Sequence, residues 1–220
     1  MSSEGMSKMS MEDDGDEKPT SEKNSIAQRR KLFKMKPSLS VDVNCTKILP
    51  YLYLGGYEVT TDKRMMQDTL KITHIVNVTT ESECHFLDDF NYAHIKLSDS
   101  TDRSKANLLA ILDEAFECIE DAKRHEGAAL VHCQVGMSRS ASVVIAYLMF
   151  SEGLTLHKAF VLVKGKRPVT APNYGFMEQL VEYEQKLFDG TVTFDLAKYK
   201  QHRFKDASLF ELSGEQCGKK

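Results

Sequence analysis

The chain of 220 residues carries 29 Lys and Arg against 32 Asp and Glu, a formal net charge of −3, with 41% apolar and 28% charged residues. Such a composition fits one folded domain of ordinary size plus flanking segments. It leaves no overall basic field to hold nucleic acid and no apolar run near the ~18 residues of a spanning helix, so neither a nucleic-acid nor a membrane partner is expected.

Residues 1–43 are rich in Ser, Lys and Glu and poor in branched apolar side chains, and read as a disordered tail. Acidic residues dominate to Glu22; Lys23, Arg29, Arg30, Lys31, Lys34 and Lys36 follow with no intervening acid, ahead of Leu39 and Val41. The opening lacks the apolar core of a secretion signal and has no glycine at position two for myristoylation. Cys217 is followed by Gly218 and Lys219 rather than by an aliphatic pair, so prenylation is not expected. These features lead us to expect a cytoplasmic protein, with the nucleus also open to it. Five cysteines, odd in number and without a paired CxxC, suit free thiols in a reducing compartment better than disulfides or a zinc site.

The folded texture runs over residues 44–190. Residues 48–54, 72–78, 93–97 and 128–131 are short runs rich in branched or aromatic side chains and are predicted as strands. Residues 106–123 place Leu108, Leu112, Ala115, Phe116, Ile119 and Ala122 on one helical face. Residues 138–150 are apolar nearly all round, as a buried helix should be. Thr155 is a predicted cap for a helix that stops before Gly165 and Pro168. Asn173 is a predicted cap for a last helix through residue 188, with Phe176, Met177, Leu180, Val181 and Leu187 facing inward. Strands alternating with helices predict an α/β domain with a mainly parallel central sheet flanked by helices. Residues 191–220 form a C-terminal extension in which Phe194, Tyr199, Phe204 and Phe210 follow neither period. They leave open whether it packs on the domain or serves a partner.

The chemistry concentrates in residues 127–140, where an apolar strand runs into a loop and the loop into an apolar helix. Ligands bind at the carboxyl ends of strands in α/β sheets, and amides at a helix N-terminus attract anions. Backbone N–H groups of Gln134, Val135, Gly136, Met137, Ser138 and Arg139 would converge on one anion, with the Arg139 guanidinium as a planar two-pronged donor. The same field favours a thiolate at Cys133. A nucleophile inside an oxyanion cradle implies phosphoryl transfer through a phosphocysteine, and a leaving group that needs a proton. The loop of residues 98–102 offers Asp99 as the acid, with Asp102 in reserve. His132 reads as a positioning residue behind the loop.

The run His-Cys-x5-Arg-Ser, the stretch HCQVGMSRSASVVIAYLM, and the later Lys-x-Lys-Arg-Pro and Pro-Asn-x-Gly-Phe-Met-x-Gln-Leu resemble the atypical dual-specificity phosphatases of the protein tyrosine phosphatase superfamily, over residues 47–188. The resemblance implies a protein tyrosine phosphatase-like fold, no metal and no cofactor. It matches Tyr92, Ile95 and Asp99 to the family's upstream acid stretch, and it gives Ser140 the task of helping the thiolate leave. It also implies a phosphoprotein substrate carrying phosphotyrosine or phosphoserine and phosphothreonine. The basic run with Leu39 and Val41 resembles kinase-docking segments, which makes a mitogen-activated protein kinase, or a member of its pathway, a candidate partner. The alternative is a phosphoprotein-binding or scaffold protein in which catalysis is slow or dispensable.

Overall fold

The computed structural model describes residues 45–212. The patterned tail with Leu39 and Val41, and Cys217, lie outside the described residues. Five strands form one sheet: β1 (Cys45–Leu49), β2 (Leu52–Gly55), β3 (Ile72–Asn77), β4 (Asn91–His94) and β5 (Ala128–His132). Their order is β1-β2-β5-β3-β4, antiparallel between β1 and β2 and parallel elsewhere, as expected of a mainly parallel sheet. The single strand expected over 48–54 is instead a hairpin. Pro50 and Tyr51 form the turn, because proline cannot donate to a ladder and ends the run. β5 lies at the centre and is buried along its whole length. Its last residue, His132, stands opposite Gly55 of β2 and Asn77 of β3. Whatever follows His132 therefore emerges between two carboxyl-terminal strand ends.

The described residues also form five α-helices: α1 (Leu112–Arg124), α2 (Arg139–Glu152), α3 (Leu156–Lys166), α4 (Tyr174–Leu187) and α5 (Leu196–His202). The apolar face expected of α1 is the buried one. The helix nevertheless begins six residues later than expected, since the Gln179 amide occupies the Ala106 carbonyl and the Leu108 N–H, groups a helical turn would need. α2 is buried on all sides as far as Met149. α3 passes through Gly165 and stops at Arg167, whose ψ of 90° is the extended conformation a following proline imposes; Pro168, rather than Gly165, sets the end. Thr155 precedes α3 without a side-chain cap bond. The first amides of α3 are taken from a distance, Leu156 N–H by the Glu184 carboxylate at 2.7 Å and His157 N–H by Thr193 Oγ1 at 3.2 Å. Asn173 does cap α4, accepting from Phe176 N–H at 2.9 Å. Leu187, expected inward, is 36% exposed, and the inward position one turn earlier is held by Glu184, fully buried because α3 and Thr193 use its carboxylate.

The segment whose role the sequence left open packs on the domain as far as residue 212. Phe194, Tyr199 and Phe210 are buried and close a cluster with Phe160 of α3, ring centroids 5.1–5.9 Å apart. Asp195 caps α5 by accepting from Lys198 N–H, and Phe194 bridges to Glu211. Phe204 stays outside the cluster, exposed.

Candidate active site

Residues 133–138 form a loop between β5 and α2, and its curl follows from where its carbonyls go. The Cys133 carbonyl meets His132 Nδ1 at 3.4 Å. That of Gln134 accepts from Tyr57 N–H at 3.1 Å, and that of Met137 from Ala171 N–H at 2.9 Å. Arg167 donates to the other two, from Nε to the Gly136 carbonyl at 2.7 Å and from Nη2 to the Val135 carbonyl at 3.0 Å. Within a trans peptide plane N–H and C=O point opposite ways, so turning these carbonyls outward turns the next residues' amides toward a common centre. Gly136 sits at φ +75°, and a side chain there would meet the Gly55 carbonyl oxygen at 2.5 Å.

At that centre lies Cys133 Sγ, 97% buried, accepting from Gly136 N–H at 3.3 Å and from Ser140 Oγ at 3.2 Å. Burial alone would push the thiol pKa up. The Ser140 hydroxyl and amide, the Gly136 amide and the Arg139 charge outweigh it, and the pKa lies below the ordinary thiol value. Burial also opposes the Arg139 cation, but Glu81, Cys133 and Asp99 more than offset it. Arg139 Nη1 donates to Glu81 Oε2 at 2.8 Å and to the Leu97 carbonyl at 3.3 Å, and Nη2 donates to Glu81 Oε1. Those bonds occupy the far end of the guanidinium. Nε, buried and without a protein partner, and the second hydrogen of Nη2 remain on one edge as a parallel pair of donors.

Asp99, in the loop after β4, stands over this loop. Its Oδ1 accepts from Ser138 Oγ at 2.8 Å and from Asn173 Nδ2 at 2.6 Å, while Ser138 Oγ in turn accepts from Asn173 N–H at 2.9 Å. Asp102 is not brought in. It is bound to Ser104 N–H and Oγ in a local turn, and that hydroxyl holds its carboxyl below the usual range. His132 is buried and desolvation draws its pKa down to about 4, so it is a neutral ring donating from Nδ1, not a base. The Gln134 side chain is turned away to accept from Ser82 Oγ at 2.8 Å.

The structure thus brings together Cys133, Arg139, Asp99, Ser140 and His132, all singled out in the sequence, and adds three supports that were not. Glu81 carried no signal, being one of two glutamates in a polar stretch. Arg167 lies in the Lys-x-Lys-Arg-Pro run, where a cation beside a proline could have been suspected of being buried. Asn173 was read as a helix cap only; its amide nitrogen has a second use at Asp99. A separate cavity of about 360 Å³, lined by His74, Tyr92, Cys118 and Asp121 among others, contains none of these groups. Its His74 Nε2 is already shared between Asp121 and Asn91.

Comparisons with known proteins agree with this geometry. A family model described as "Dual specificity phosphatase, catalytic domain" matches residues 52–186. Mouse dual specificity protein phosphatase 19 is 42% identical over 146 residues, which make up 66% of this chain and 64% of that protein. The match thus spans a little under two thirds of its length. The crystal structure of human DUSP28 superposes with a TM-score of 0.61 at 33% identity, covering 70% of this chain and 99% of that one. That of the human tyrosine phosphatase-like serine/threonine/tyrosine-interacting protein gives 0.60 at 32% identity, covering 66% and 97%. A catalytic-domain model that accounts for most of the residues, over the stretch that builds β2 to β5 and the loop, leaves one conclusion: the chain belongs to the dual specificity phosphatase family.

Proposed function

We propose that this chain is a cysteine-dependent protein phosphatase that removes phosphate from phosphotyrosine and from phosphoserine or phosphothreonine. What supports this most is the buried Cys133 Sγ, held by Ser140 and Gly136 at the focus of an inward-turned loop to which Asp99 is fastened. Cys133 Sγ attacks phosphorus, forming the S–P bond as the P–O bond to the leaving group breaks. The loop amides and the open Nε and Nη2 edge of Arg139 take the non-bridging oxygens. Asp99 gives its proton to the leaving oxygen. Both tethers of Asp99 fall on Oδ1, so Oδ2 carries that proton. In the second step Asp99 takes a proton from water, the water oxygen bonds to phosphorus, and the thiolate departs toward the Ser140 hydroxyl, releasing inorganic phosphate. His132 and Arg167 hold the loop in shape without touching the substrate.

The catalytic body comprises residues 44–190, preceded by the tail and followed by the extension. The substrate is a phosphoprotein, met in the cytoplasm or nucleus. A mitogen-activated protein kinase, or a member of its pathway, is engaged by the basic run and the Leu39 and Val41 pair. Replacing both with Ala should weaken kinase binding and leave turnover of a small aryl phosphate unchanged; unchanged binding would remove the partner. For the activity itself, the purified chain should hydrolyse an aryl phosphate in the presence of a metal chelator and be blocked by vanadate. Cys133→Ser should cut turnover on the order of a thousandfold or more. Full activity in Cys133→Ser would end this reading.

A further inference from the structure

The extension of residues 191–212 lies beyond the family match, which ends at residue 186, yet it reaches the site through one three-residue turn. On the outer side of residues 171–173, Tyr199 Oη donates to the Pro172 carbonyl at 2.7 Å. Arg203 donates to the Ala171 carbonyl from Nε at 3.1 Å and from Nη2. On the inner side, Ala171 N–H holds the Met137 carbonyl and Asn173 N–H holds Ser138 Oγ, while Asn173 Nδ2 reaches Asp99 Oδ1 at 2.6 Å. Ala171 and Tyr199 are fully buried, and Tyr199 is itself clamped among Phe160, Phe194 and Phe210. The carbonyls of Ala171 and Pro172 are thus both fixed from the extension, and together with the bonds of Asn173 to Ser138 and to α4 they set how Asn173 is presented to Asp99.

We propose that Tyr199 and Arg203 are positioning residues for proton transfer, setting Asp99 through the 171–173 turn, so that the extension is a working part of the catalytic apparatus. The proposal rests on the reading of Asp99 as the general acid. Without the outer bonds residues 171–173 are held from the inner side alone and can shift, and a displacement of ~1 Å in a catalytic group is enough to cost up to about a hundredfold in rate. The loss falls on the protonation of the leaving oxygen, and so scales with leaving-group basicity: dinitrophenolate departs without a proton, whereas phenolate needs one.

The test compares Tyr199→Phe and Arg203→Gln in the full chain, each with Asp99→Asn as reference, on dinitrophenyl phosphate and on phenyl phosphate. Each extension variant should lose about five- to tenfold more kcat/KM on phenyl phosphate than on dinitrophenyl phosphate, with vanadate inhibition unchanged. Asp99→Asn should show the same pattern more strongly, and adding Tyr199→Phe to it should produce no further discrimination between the substrates. Equal loss on both substrates, or none, in extension variants while Asp99→Asn discriminates would overturn the positioning role alone. Asp99→Asn treating both substrates alike would remove the acid, and this proposal with it. Arg203→Gln, in a half-buried side chain, keeps the test decisive should Tyr199→Phe fail to fold.

Discussion

Around Arg139 the division of labour among five N–H donors decides what Glu81 does. A carboxylate meeting a guanidinium end-on leaves the side edge open, so Glu81 orients Arg139 without occupying the edge that the proposed function gives to phosphate. The Arg139 bond holds the Glu81 pKa down to about 2, so Glu81 stays charged throughout the working range and adds no inflection to a pH–rate profile. Glu81→Gln should weaken vanadate inhibition about tenfold, the scale of one charge-assisted hydrogen bond misplaced, with a smaller fall in kcat. Unchanged inhibition would show that the clamp keeps its place unaided. His132 makes a second, opposite prediction for stability. Its pKa is lowered from 6.5 to about 4 by burial, so between those values the unfolded chain binds a proton that the native one refuses. Stability should therefore fall as pH drops from 6.5 toward 4, with no contribution from this ring above 6.5. Urea unfolding at several pH values should show a shallower decline in His132→Asn than in the parent chain. Neither Glu81 nor the consequence of burying His132 was legible in the sequence, because a polar loop gives no sign of which glutamate faces inward.

At the level of elements, the strand, loop and helix that build the cradle were legible and their boundaries less so. Periodicity identified α1 and α2 because each buries a continuous apolar face or surface. It failed where a distant side chain supplies what a local residue was expected to supply. Glu184 and Thr193 take amides that Thr155 should have capped, and Gln179 holds residues 106–108 out of α1. Such exchanges between elements leave no local pattern to read. The loop itself turns on Gly136, which adopts a left-handed φ of +75°. Gly136→Ala combines a left-handed φ with a contact at 2.5 Å to the Gly55 carbonyl oxygen. It should store about 1–3 kcal/mol of strain and push the loop away from β2. Vanadate affinity should fall by more than the drop in melting temperature alone would suggest; retained affinity would mean the loop tolerates the angle.

For the molecule as a whole, the extension changes where the domain ends. Its aromatic residues were visible in the sequence, but aromatic spacing without a period says nothing of what the rings touch until α3 is in place to meet them. Phe194, 2% exposed, packs against three aromatic rings and His157. Phe194→Ala should destabilise the fold by about 3–5 kcal/mol in urea unfolding, as a large core side chain does. A cost below about 1 kcal/mol would mark the cluster as surface decoration. The bond from Ser138 to Asp99 has a different reach. Here Ser138, on the 133–138 loop, is joined to Asp99, on the loop after β4, across 2.8 Å. If the proposed function holds, the two loops move as one unit, so a substitution that shifts either should disturb both the nucleophile's surroundings and the acid together.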